Sequence, residues 1–261
     1  MTQKIYQIDA FATEVFSGNP AAVCPLEKWL SDEILQNIAM ENNLAETAFY
    51  VKEGDQYQLR WFTPKVEVDL CGHATLAAAY VLFNHENHSG NIIEFHSVRS
   101  GRLTVTKENE LLTLNFPTDE FEEIELGDKL IAGFNIRPQF AFKGKTDYML
   151  VYENEEEIKK AIPAFEAIAK LEARGIIITA KGEKVDFVSR FFAPRAGVNE
   201  DPVTGSAHTT LTPYWSKRLG KNDLTAIQLS PRKGYLECKN LNGRVEISGQ
   251  GKLYLTGEIF W

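Results

Sequence analysis

A chain of 261 residues, 44% hydrophobic and 25% charged, has the make-up of an ordinary soluble globular protein, with room for one large domain or two standard ones. Its net charge of -8 argues against a nucleic-acid surface, which needs a basic excess, but leaves room for an anionic small molecule held by local dipoles. Cys24, Cys71 and Cys238 supply neither a disulfide framework nor a Cys-x-x-Cys zinc spacing. The first ten residues lack a signal-peptide pattern and no apolar run approaches a membrane span, so a cytoplasmic location with no membrane partner is expected.

The elements follow in chain order. Ser31 before Asp32 and Glu33 reads as a helix N-cap with an acidic first turn. Ile34, Leu35, Ile38 and Ala39 make one apolar face, and Asn42 and Asn43 stop the helix. A strand over 57–62 precedes a helix over 73–83 that is Ala-rich and apolar almost all round, the pattern of a helix surrounded by other structure. Strands are predicted over 92–96, 102–106 and 111–116, and the acidic stretch 119–128 is read as a linker. Pro163 opens a further helix with Phe165, Ile168, Ala169 and Leu171 inward. A strand over 185–191 leads to a helix over 206–219, capped by Ser206 and kinked by Pro213, and strands over 235–239, 244–248 and 253–259 complete the chain.

The chain repeats itself. Arg60-Trp-Phe-Thr-Pro-Lys65 returns as Arg190-Phe-Phe-Ala-Pro-Arg195, and at the same offset Ile38-Ala39 falls on Ile168-Ala169 and Val68 on Val198. After an insertion of Pro202, Val203 and Thr204, Gly72 meets Gly205, Ala74 meets Ala207, Gly101 meets Gly234 and Leu103 meets Leu236. The fold class is therefore α+β: two similar domains, each a mostly antiparallel sheet or barrel wrapped around a central helix. The expected boundaries are 1–118 and 129–261 around the linker 119–128, with the active site in the cleft between domains. The last strand is free to pack back on the first domain.

Chemistry is expected at the two Gly turns. Unsatisfied N–H groups at a helix start hold an anion, so Gly72-His73 and Gly205-Ser206 are candidate donors to a carboxylate and to the carbanion formed beside it. Most Gly and Ser residues before helices are plain caps, so residues near the turns must carry the argument. Cys71 and Asp201 stand opposite each other in the repeat, one before each turn, as an acid/base pair or as a core thiol and a turn residue. Glu46 is the sharper candidate: it lies among small apolar neighbours, and its repeat counterpart is Ile176 in the apolar run 175–178. Burial without a partner would raise its pKa, as suits a base that takes and returns a proton; a buried His73 would serve as a hydrogen-bond donor to substrate or as a partner of Glu46. Asn19, in the turn Phe16-Ser-Gly-Asn-Pro20, could reach a polar substrate. No histidine pair has metal-ligand spacing with a third ligand, so no metal is expected.

Asp9-Ala-Phe11, Phe16-Ser-Gly-Asn-Pro-Ala-Ala-Val23, Glu46-Thr-Ala-Phe49, Phe62-Thr-Pro64, Asp69-Leu-Cys-Gly-His-Ala-Thr75 and Asp201-Pro-Val-Thr-Gly-Ser-Ala-His208 resemble, in order and over nearly the full chain, the phenazine-biosynthesis isomerase family, PhzF-like. The resemblance implies the diaminopimelate-epimerase-like fold, a homodimer and cofactor-free proton transfer on a small carboxylated metabolite. It implies Glu46 as the catalytic acid/base, with His73 and Asp201 holding substrate and Gly72, Gly205 and Ser206 binding it. Related epimerases use two cysteines; here the second falls at Asp201, which departs from a two-thiol mechanism.

The expected function is an isomerase without cofactor, Glu46 shifting a proton between carbons. The alternatives are an epimerase or racemase with Cys71 and Asp201 as opposed acid/base groups, or a binding protein without turnover.

Overall fold

Each half of the repeat folds around its own buried helix. The structure, a computed structural model, describes residues 2–261; Met1, where the first expected domain begins, lies outside the described residues. The chain divides into residues 2–115 with Ser248–Trp261 (unit 1) and Phe116–Ile247 (unit 2).

In unit 1, β1 (Thr2–Ala10) pairs antiparallel with β2 (Asn19–Leu26), which runs parallel to β3 (Glu46–Glu53) across helix α1 (Asp32–Asn42). Ser31 caps α1 by accepting the Ile34 N–H, and Asn43 ends it in the left-handed region. Strand β3 pairs antiparallel with β4 (Gln56–Phe62), which pairs with the short β5 (Glu67–Val68). Helix α2 (Gly72–Asn84) follows, then β6 (Ile92–Ser97), parallel to β4, and the antiparallel β7 (Gly101–Glu108) and β8 (Leu111–Pro117). The final strand, Gly251–Phe260, returns to pair antiparallel with β1 along its whole length. Helix α2 is buried at nine of its positions, from His73 to Leu82, as its all-round apolar pattern requires. On the opposite face of the sheet, Leu35, Ile38 and Ala39 of α1 pack with Phe49 and Phe62.

Unit 2 repeats this plan. Strand β9 (Phe121–Ile124) pairs with β10 (Phe140–Gly144), separated from it by the short α3 (Asp128–Ile131). Strand β10 pairs with β11 (Asp147–Val151), which runs parallel to β12 (Gly175–Lys181) across α4 (Glu155–Lys160) and α5 (Phe165–Ile168). Strand β12 pairs antiparallel with β13 (Phe187–Ala193), β13 with β14 (Val198–Asp201), and after α6 (His208–Leu219) β15 (Asp223–Gln228) runs parallel to β13 and antiparallel to β16 (Gly234–Asn240). Strands β17 (Arg244–Gly249) and β18 (Gly251–Phe260) end the chain. The order of parallel and antiparallel pairs from β10 to β16 thus reproduces that from β1 to β7.

Three expectations change. Residues 119–128 are not a bare linker: on β9 the half-buried Phe121 and Ile124 lie on opposite faces, Phe121 packing edge-on against Phe142 and Tyr214 and Ile124 against the cluster that holds Ile158 and Ile168, while Glu122 and Glu123 between them are exposed. The helix opened by Pro163 is one turn long, and the earlier α4, capped by Asn154 with Glu155, Glu156 and Glu157 in its first turn, was missed although it carries the same start signal as Ser31-Asp32-Glu33. Ser206 is not the cap of α6, because a turn through residues 204–207 intervenes and Ala207 precedes the first helical residue. Pro213 lies inside α6 as expected. No helix among the described residues is long and apolar enough to cross a membrane.

Candidate active site

In unit 1 the turn before β2 sets the first polar group. Gly18 has φ +66°, and a Cβ there would run into the Ala10 carbonyl, so only glycine closes this turn. The Asp9 carboxylate accepts the Phe16 N–H at 2.8 Å and fixes the loop. Asn19 then starts β2 fully buried, its amide nitrogen 3.3 Å from His73 Nδ1.

His73 is the second residue of α2, and Cys71 is that helix's N-cap, with no side chain capping the first turn. The amides of Gly72 and His73 therefore open onto the site at the positive end of the helix. Glu46, the first residue of β3, places its Oε2 3.1 Å from His73 Nε2. The two side chains are 19% and 7% exposed, which makes this a largely desolvated pair with one side reachable by a small ligand. Cys71 Sγ lies 3.4 Å from His73 Nδ1.

Burial pushes the Glu46 carboxyl up, but the His73 charge and hydrogen bond, with a contact from Cys71, outweigh it and leave the pKa below its ordinary value. The raised pKa expected from its apolar sequence neighbours is thereby corrected: the partner comes from a helix 27 residues further on. Burial opposes the His73 imidazolium too, yet the Cys71 sulfur and the Glu46 carboxylate more than compensate and raise its pKa. Of those two, Glu46 acts at neutral pH, because burial and the Glu46 charge push the Cys71 thiol up to about 11. His73 stands beside Glu46 and touches it.

Unit 2 gathers the remaining candidates. Asp201 ends β14 with its carboxylate accepting from Thr204 Oγ1 and its carbonyl from the buried Gln228 amide. Gln228 also accepts the Thr204 N–H at 2.8 Å, so the 201–206 turn is fixed from beneath. Gly205 is buried and Ser206 exposed. His208 is kept neutral: burial lowers its pKa to about 4, while Nδ1 meets the Thr204 carbonyl at 2.9 Å.

Sequence reasoning missed Arg174 and Asp147. The buried Asp147 grips the Arg174 guanidinium through both oxygens, and Arg174 Nη2 donates to Ser206 Oγ at 3.0 Å. Arg174 also lies over the Phe191 ring, 5.2 Å from its centre. The available signal was Arg174 immediately before the apolar run 175–178, with an acidic partner at the head of the parallel strand.

A hydroxyproline epimerase from Agrobacterium vitis, solved with trans-4-hydroxy-L-proline, shares this architecture at a TM-score of 0.63 over 99% of this chain and 92% of its own. At 8% identity that is a likeness of fold alone, and it sets the class as the epimerase-like fold. The family described as phenazine biosynthesis-like protein, PhzC-PhzF, matches residues 8–257. An uncharacterized isomerase of Pseudomonas aeruginosa is 49% identical over 99% of each chain, and one from Halalkalibacterium halodurans is 43% identical over the same shares. A solved PhzF-family phenazine biosynthesis protein of Enterococcus faecalis superposes at TM-score 0.98, with 50% identity and complete coverage of both chains. The chain belongs to this family and is an isomerase.

Proposed function

We propose that the isomerase moves a proton between carbons of a small carboxylated metabolite, with Glu46 as the acid/base and no cofactor. The observation that carries this is the Glu46–His73 contact of 3.1 Å at the uncapped start of α2. A carboxylate held ionised can accept a proton from carbon, and the Gly72 and His73 amides are placed to stabilise the negative charge that develops on the substrate. His73 keeps Glu46 a weak base, which favours return of the proton to a second carbon. Asp201 and Ser206, the latter held by Arg174, are proposed to bind substrate through its polar groups, with Asn19 orienting His73. The resemblance supports a homodimer, which sedimentation would reveal as twice 29.5 kDa.

The opposed-base alternative is disfavoured because burial and the Glu46 charge push the Cys71 thiol up to about 11, which keeps it protonated at neutral pH. Incubation in heavy water with a panel of small carboxylic acids, followed by proton NMR, tests the proposal. Deuterium uptake at carbon that disappears in Glu46→Gln is the expected result. Exchange persisting in that variant would remove Glu46 from the chemistry, and tight binding without exchange would mark a binding protein.

A further inference from the structure

Three donor atoms of different chemical character meet at the start of α2: a Glu46 carboxylate oxygen, Cys71 Sγ and a His73 ring nitrogen, all within 4.8 Å of one another. His73 Nε2 is 3.1 Å from Glu46 Oε2 and 3.9 Å from Cys71 Sγ. Tetrahedral zinc, with bonds of about 2.0 Å to nitrogen or oxygen and about 2.3 Å to sulfur, keeps such donors roughly 3.3–3.6 Å apart. These two separations bracket that spacing and the third is at most 4.8 Å; because Cys71 Sγ is nearer Nδ1, at 3.4 Å, closing the set takes a rotation of the Cys71 and Glu46 side chains. The donors sit on rigid supports, at the first residue of β3, the N-cap of α2 and its second residue. Asn19 lies against Nδ1 at 3.3 Å and so marks Nε2 as the ligating atom; in the metal-bound state its amide must present Oδ1 to the Nδ1–H, as an outer partner of a histidine ligand does.

We propose that this triad binds one thiophilic divalent cation, zinc being the natural probe, with a water in the fourth position. Binding forms Zn–S, Zn–N and Zn–O bonds; the Cys71 thiol proton and the proton on His73 Nε2 leave to solvent. The spacing that announces zinc sites in sequence is absent because the ligands come from a Cys-x-His pair and a glutamate 25 residues before it. Resting on the proposed role of Glu46, the consequence is reversible shut-off: a metal-bound carboxylate no longer carries protons. A site of this kind makes turnover sensitive to free zinc, and the thiol, idle in catalysis, supplies the selectivity for soft metals.

The experiment is a titration of the chelator-stripped full chain with cobalt(II), followed by absorbance, then displacement by zinc. One equivalent of cobalt is expected to give a thiolate-to-cobalt charge-transfer band and tetrahedral visible bands, both removed by zinc. Cys71→Ser and Cys71→Ala, checked for fold by circular dichroism, should lose the charge-transfer band. His73→Asn and Glu46→Gln should weaken binding by more than the roughly 10–100-fold that loss of an outer partner brings. Absence of the band, or its survival in both Cys71 variants, overturns the inference. The readout needs no substrate, so it separates from the catalytic reading: metal binding without Glu46-dependent exchange sinks only that reading, and exchange without metal binding sinks only this one.

Discussion

Gly175 stands in unit 2 at the strand position that Glu46 holds in unit 1. Glu46 opens β3 beside Ala21 of its parallel neighbour, and Gly175 opens β12 beside Asp147 of its own. One residue later Thr47 faces Phe62, and Ile176 faces Phe192. Ile176 packs with Ile158 and Ile168 in the cluster that answers to Phe49, Phe62 and Ile38 in unit 1. The true counterpart of Ile176 is thus Thr47, and the acid/base position in unit 2 has no side chain at all.

A carboxylate cannot simply be added there. A Cβ on Gly175 would lie 2.5 Å from the Phe191 ring and 2.8 Å from the Phe192 carbonyl oxygen. Gly175→Glu is therefore expected to destabilise the protein by about 1–3 kcal/mol through overpacking, seen as a lower urea midpoint. It should yield no second proton-transfer site. A fully stable variant would show that the pocket over Gly175 is open.

The off-by-one counterpart shows where the sequence is readable and where it is not. The motif Arg60-Trp-Phe-Thr-Pro64 anchors β4 against β13, and the duplicated fold, its sheets and both central helices follow from it. Between β3 and β4, however, the hairpin is one residue shorter in offset than the motif implies. Side chains alternate faces along a strand, so that single residue exchanges the helix-α2 face for the opposite one. The conclusion that only one half carries the carboxylate survives, although its stated twin was on the other face. The lowered pKa of Glu46 was hard to read for a different reason: His73 is named as one possible partner, but it is remote in sequence, and only the α2 start beside β3 joins them. Arg174 was likewise hidden, its partners Asp147 and Ser206 lying 27 and 32 residues away.

The Glu46–His73 pair should leave a signature in the pH dependence of stability. The Glu46 carboxyl is lowered from 4.5, so its contribution is present above that value and is lost as pH falls through the folded pKa. His73 is raised above 6.5, so its contribution is complete below that value and fades as pH climbs toward the folded pKa. Coupling between the residues is therefore greatest from pH 4.5 to 6.5. A double-mutant cycle with Glu46→Gln and His73→Gln in urea should give roughly 1–3 kcal/mol there and less at about pH 3 and about pH 9. A flat coupling energy across that range would contradict the ion pair.

Turnover should separate Glu46 from Cys71. Loss of a positioned acid/base costs roughly 10²–10⁴-fold, so Glu46→Gln should reduce the exchange rate by that amount. Cys71→Ser should retain most of the rate, because the thiol is protonated at neutral pH and contacts His73 rather than supplying a base. Solvent-exchange NMR on both variants decides it. Equal losses would restore the thiol to the mechanism.

Arg174 repeats in unit 2, with opposite charge, what Glu46 does in unit 1. Ser206 follows Gly205 as His73 follows Gly72, and each is held by a charged side chain at the head of a strand that runs parallel to its neighbour: Glu46, the first residue of β3, on His73, and Arg174, the residue before β12, on Ser206. The guanidinium spans Asp147, Ser206 and the Phe191 ring at once, a task that requires its planar fork. Arg174→Gln leaves the buried Asp147 without its charged partner and is expected to cost about 1–3 kcal/mol, measured by urea denaturation. Under the proposed function it should raise KM more than it lowers kcat, because Ser206 binds substrate and does not react with it. Arg174→Lys should restore charge but not KM, since one ammonium cannot bridge Asp147 and Ser206 with fixed geometry. Full recovery by lysine would reduce Arg174 to a simple counter-charge for Asp147.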